Sequence, residues 1–158
     1  MIKLIWLSII IVFTNGCVVV NETKGGNKNK LKSKLLVLGV EKTKQHNLPF
    51  SEAVAVGDLL FLSGQIGTIP GQMKLVSGGV QAQTKQTMLN IFSVLEKYSS
   101  SANKIIKCTI FLDDINDWQQ MNVAYLNALG THRPARSALG ADGLALDAKV
   151  EIECIATR

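Results

Sequence analysis

The sequence is poor in the residues that metal, redox and nucleic-acid proteins rely on. Its two histidines, His46 and His132, stand apart, and its three cysteines, Cys17, Cys108 and Cys154, form no Cys-x-x-Cys pair. Zinc sites gather such ligands at short spacings, so no metal centre is expected. The most apolar stretch, Leu4 to Phe13, falls well short of the roughly 20 residues that a bilayer-spanning helix takes. No internal repeat is convincing. The formal charge of +5 is not spread along the chain either. Residues 35–158 carry 11 basic and 11 acidic groups, whereas a nucleic-acid-binding domain shows a basic excess of its own. No nucleic-acid partner is expected.

What the N-terminus does contain is a pattern of export. One lysine, Lys3, precedes an apolar run with the length of a signal-peptide h-region. The run leads into "TNGC", which resembles a bacterial lipoprotein box with Gly16 before the cut and Cys17 as the lipidated residue. Thr14 departs from the aliphatic residue usual there. Next, Val18 to Lys34 is polar and aperiodic, with Lys24, Lys28, Lys30, Lys32 and Lys34 against a single Glu22. Such a segment reads as a flexible basic tether beside anionic lipid head groups. The expected organisation is therefore a lipoprotein-type signal peptide over 1–16, a lipidated Cys17 with its tether over 17–34, and one folded domain over 35–158. It places the protein on the periplasmic or outer face of a bacterial envelope, anchored by lipid.

Within the domain, periodicity predicts a strand at Leu35–Val40. A hairpin in "EAVAVGDLLFLSGQIG" follows, turning at Gly57-Asp58, with its second arm ending at Ser63-Gly64. From Val80 to Tyr98 the apolar step becomes three and four, with Thr84, Thr87, Met88, Ile91, Phe92 and Leu95 on one helical stripe. After a serine-rich turn comes the strand "KIIKCTIFL". A second helix follows, capped by Asn116, striped by Trp118, Met121, Tyr125 and Leu129, and ended by Gly130. Two strands close the chain, Ala135–Leu139 and Lys149–Ala156. This order predicts an α+β fold with helices on one face of a mixed sheet. Cys108 and Cys154 alternate with aliphatics and are expected as buried small apolar side chains, although an oxidising compartment would allow a disulfide between them.

Arg136, set in "HRPARSALG" among small and apolar neighbours, either points at water by alternation or awaits an anion. In the last strand, Glu151 and Glu153 share one face and Val150, Ile152, Cys154 and Ala156 the other. If the two final strands are adjacent, Arg136 lies near one of these carboxylates, as a structural ion pair or as part of a site. An arginine fork can hold a carboxylate ligand, and a partly desolvated glutamate can move protons.

"PFSEAVAVGDLLFLSGQIG", "HRPARSALG" and "VEIECIA", in this order, resemble the RidA/YjgF family of reactive-intermediate deaminases, some of which are described as L-PSP endoribonucleases. The resemblance covers the whole domain. It implies a chorismate-mutase-like fold, a homotrimer with sites between subunits, and cofactor-free hydrolysis of 2-imino or enamine acids, such as 2-iminopropanoate and 2-iminobutanoate, to 2-oxo acids and ammonia. It further implies that Arg136 binds the substrate carboxylate and Glu153 activates water, in preference to Glu151. Ser63 and Gly64 would line the pocket with Asn122, which read from its helix stripe alone is equally a satisfied core amide. Phe50 stands where the deaminases usually have tyrosine, keeping the aromatic wall without its hydroxyl. Ala138 stands where the best-studied branch has cysteine, and the loop before "PARS" is short. Fold likeness does not establish activity, and an exported protein would seldom meet imino acids made in the cytosol. A non-catalytic small-ligand-binding or regulatory trimer is therefore the alternative, with endoribonuclease activity disfavoured by the neutral domain.

Overall fold

The computed structural model describes residues 34–158. The expected signal peptide, the lipidation site Cys17 and the tether up to residue 33 lie outside the described residues. Ten regular elements follow one another: β1 (Leu35–Leu38), α1 (Val40–Gln45), β2 (Ala53–Val56), β3 (Leu59–Leu62), β4 (Gln65–Ile66), α2 (Gly79–Lys97), β5 (Ile105–Leu112), α3 (Trp118–Leu129), β6 (Ala135–Gly140) and β7 (Val150–Thr157). The strands form one mixed sheet in the order β1-β2-β3-β7-β5-β6, with β4 also on β7. The fold class expected from the sequence, α+β with helices on one side of a mixed sheet, is the one found.

The first strand is shorter than periodicity predicts. Gly39 adopts φ 75, a left-handed conformation that costs a residue with a Cβ, and Val40 then opens the short α1. The β2–β3 hairpin turns where expected, with Val56 opposite Leu59. Its second arm does not end at Ser63-Gly64. Phe61 faces Ile155 and Gln65 faces Ile152 across β7, so four steps on one strand oppose three on the other. That is a β-bulge, and the Ser-Gly pair bends the strand without ending it.

In α2 the side chains of Val80, Thr84, Thr87, Met88, Ile91, Val94 and Leu95 are buried, matching the predicted stripe, with Phe92 partly buried at its margin. Full burial of Met88, Ile91 and Leu95 stabilises the fold by about 1.5–3 kcal/mol each. Helix α3 buries Met121, Tyr125 and Leu129 and ends at Gly130, whose N–H donates to the Leu126 carbonyl. Asn116 is not its cap. A 3-10 turn over Ile115–Asp117 leads into the helix, and Asp114 Oδ1 accepts from the Asn116 N–H at 2.9 Å. The orphan donor nearest the chain's entry is thus met by the earlier carboxylate.

Two further expectations change. Strands β6 and β7 are not neighbours, because β5 lies between them. The chain leaves β5, crosses over through α3 and returns parallel on the outer side as β6, which needs such a long crossover. It then re-enters the sheet as β7, antiparallel between β3 and β5. This arrangement sets Cys108 directly opposite Cys154, and the two are joined by a disulfide rather than packed as separate thiols. Across a sequence separation of 46 residues, loop closure of this kind contributes about 4 kcal/mol on the chain-entropy account.

Candidate active site

Register decides which side chains can meet. Cys108 and Cys154 lie on the buried, helix-covered side of the sheet. Arg136 is paired in register with Cys108, and Ala138 with Ile110, so both face the helices as well. Glu151, Glu153, Thr109 and Phe111 alternate with them and face the other way. Neighbouring residues across a sheet share a face and successive ones alternate. Arg136 and the two glutamates therefore point from opposite faces of one subunit's sheet. The proximity expected from adjacent final strands does not exist within a single chain.

On the helix side, Arg136 Nη1 donates to Asn122 Oδ1 at 2.5 Å. Its guanidinium carbon lies over the Trp118 ring at 5.5 Å from the centroid and over the Tyr125 ring at 5.4 Å. These three partners are spaced four and three residues apart on α3, which places them on one stripe. No carboxylate comes within ion-pair distance of Arg136 among the described residues. Arg136 is half-buried, and Ala138 packs beside it against the core. Asn122 is thus engaged with Arg136 and is not an isolated core amide.

On the opposite face, Glu151 is half-buried and lies against Gly64. A Cβ placed on Gly64 would stand 1.9 Å from Glu151 Oε1 and 2.8 Å from its carboxyl carbon, so only glycine leaves room for this carboxyl. Burial, reinforced by the charge of Glu153, holds the Glu151 carboxyl above its ordinary value of 4.5. Glu153 is exposed, beside Phe61, Lys107 and Thr109 in a shallow depression of about 190 Å³. Ser63 is held by two bonds, its Oγ donating to the Ser51 carbonyl at 2.7 Å and its N–H donating to the Glu52 carbonyl at 3.1 Å. Gln65 Nε2 donates to the carbonyls of Ser63 and Gly64, both at 3.2 Å, and so stiffens the bulge beneath Glu151. Phe50 is exposed.

The structure thus divides the sequence-derived set in two. Arg136, Asn122 and Ala138 lie on one side, and Ser63 and Gly64 lie with the glutamate pair on the other. Sequence reasoning passed over three participants. Trp118 and Tyr125 were read as core stripe only, although their spacing from Asn122 is the signal that groups them. Gln65 could have been found as the third residue of the Ser-Gly-Gln turn.

Residues 42–158 match the family model described as Endoribonuclease L-PSP. A RutC family protein of Pyrococcus abyssi is 37% identical over 120 residues, covering 76% of this chain and 94% of its own. A human 2-iminobutanoate/2-iminopropanoate deaminase is 36% identical over 108 residues, covering 68% and 79%. Among solved structures, a candidate L-PSP endoribonuclease from Entamoeba histolytica superposes with a TM-score of 0.72 at 36% identity, covering 79% of this chain and all of that one.

Proposed function

The chain belongs to the L-PSP endoribonuclease family, the RidA/YjgF proteins, and from that premise we propose that it hydrolyses small reactive 2-imino or enamine acids. The products are the 2-oxo acid and ammonia. A relative named 2-iminobutanoate/2-iminopropanoate deaminase supports the substrate class. One observation carries the reading: Arg136 is a half-buried arginine, oriented by Asn122 and two rings, without a carboxylate of its own among the described residues. Such a fork suits the carboxylate of a ligand.

In this reading Glu151 is the acid–base group, in place of Glu153. A carboxyl held above its ordinary value by burial is suited to moving protons near neutrality. Glu151 takes a proton from water as the water oxygen adds to the imine carbon. It returns that proton to the nitrogen. As the carbon–nitrogen bond breaks and ammonia leaves, Glu151 takes up the remaining hydroxyl proton, so that the carbonyl of the 2-oxo acid forms; that proton then passes to the departing ammonia. Water is the only co-reactant.

Because Arg136 and Glu151 face opposite sides of one sheet, a complete site requires two copies of the chain, with Arg136 from one and Glu151 from the next. The face that carries Glu151 also bears the large apolar residues Leu35, Val37, Leu59, Phe61 and Leu139, all exposed in the single subunit. An apolar patch of this extent marks an association surface, and a cyclic homotrimer accounts for it. The family description also names ribonucleolysis, which the charge-neutral body of the chain disfavours.

The test generates 2-iminobutanoate in situ and follows its disappearance. Arg136→Ala should abolish turnover mainly through KM, and Glu151→Gln should lower kcat by about 10²–10⁴-fold. Glu153→Gln should retain most of the activity. The reverse ranking of the two glutamates would reassign the acid–base group to Glu153. No acceleration by the wild type, with a 2-oxo acid still bound through Arg136, would favour a small-ligand-binding protein.

A further inference from the structure

Trp118 and Tyr125 stand on one stripe of α3 with Asn122 between them. The Arg136 guanidinium carbon lies over both rings, 5.5 Å from the Trp118 centroid and 5.4 Å from the Tyr125 centroid. The guanidinium thus touches both rings at once, while Asn122 Oδ1 accepts from its Nη1 and fixes one edge. Both distances fall within the roughly 6 Å over which a ring face attracts a cation. A free arginine side chain samples many rotamers and loses about 2 kcal/mol of rotamer entropy when it is fixed. Here that ordering is done before any ligand arrives.

We propose that Trp118 and Tyr125 are positioning residues that clamp the Arg136 guanidinium so that its remaining donors present a fixed fork to an incoming carboxylate. This rests on the reading of Arg136 as the carboxylate anchor. The clamp acts on the charged end of the ligand alone, since neither ring touches the reacting carbon in that reading. Of the two rings, Tyr125 is 3% exposed and belongs to the core. Trp118 is partly buried at the margin of that core, and its side chain is the safer one to change.

The experiment measures equilibrium binding of 2-oxobutanoate and of its uncharged amide to the full chain and to Trp118→Leu, Trp118→Phe and Arg136→Ala. Trp118→Leu should weaken the acid roughly tenfold, the scale of a partly desolvated cation–ring contact, and leave the amide unchanged. Trp118→Phe should restore most of the acid's affinity. In turnover, Trp118→Leu should raise KM while kcat is kept, whereas a variant that merely lost folded protein would lose apparent kcat. If acid and amide weaken equally, or Trp118→Leu binds the acid like the wild type while Arg136→Ala does not, the clamp is refuted and the anchor stands. If the wild type and Arg136→Ala bind the acid equally, both the anchor and the clamp fail.

Discussion

Glu151 owes its character to a residue without a side chain. Its carboxyl occupies the space that a Cβ on Gly64 would fill, and that seclusion, together with Glu153, raises its pKa. A carboxyl whose folded pKa lies above its unfolded one binds more protons in the native state across that interval. Stability then falls as pH rises from the ordinary carboxylate range to the raised value, and the cost persists above it. Glu151→Gln should therefore raise Tm at neutral pH, with the gain shrinking as pH falls from the raised value to the ordinary 4.5 and absent below it. Thermal melts of both proteins across this range check it, and a lower Tm for Glu151→Gln at neutral pH would refute it. The same residue shows how far the sequence could be read. Strand alternation placed Glu151 and Glu153 on one face correctly. Which of them is secluded depends on the bulge at Gly64, a contact between segments far apart in the chain that no local pattern encodes. The motif-based preference for Glu153 had no means of detecting it. Arg136 was legible as an oddity, a charge among small residues, whereas its partners on α3 appeared only once the helix was laid over β6.

At the level of elements, the bulge between β3 and β4 converts a strand end into a platform. Gly64→Ala should displace the Glu151 carboxyl, which is the mobile end of a side chain, without moving backbone. The expected result is a loss of turnover of at least tenfold with Tm changed by little, read from kinetics and a melt on one preparation. A large fall in Tm with normal activity per folded molecule would mean that Gly64 serves the fold alone. The helices and most strands were legible because their apolar periods of 3.6 and 2 are strong over many residues. Strand order was not. Nothing in "ARSALG" or "VEIECIAT" states that β7 inserts between β3 and β5 while β6 takes the edge. That follows from a parallel return through α3, a property of the connection and not of either strand. The short α1 was missed because Gly39, unremarkable in the sequence, takes a left-handed conformation there.

For the whole molecule, Arg136 and Glu151 face opposite sides of one sheet, so on the proposed function a complete site would be a property of the assembly. Arg136→Ala and Glu151→Gln, each strongly impaired alone, should regain activity when unfolded and refolded together. In random mixtures about a quarter of the shared sites receive both wild-type groups, given cyclic symmetry. Activity of the mixture no greater than that of the separate variants would show that each subunit keeps its own site. The disulfide bears on the molecule in another way. Cys108–Cys154 turns the stretch holding α3, β6 and the first half of β7 into a closed ring with two tails. A protease that cuts once inside this ring, for instance at Leu146 or Asp147, where the backbone is left-handed, opens the ring without separating the pieces. Arg136 and Glu151 both lie on that ring, so a nicked subunit keeps them on one covalent thread until a reductant divides it.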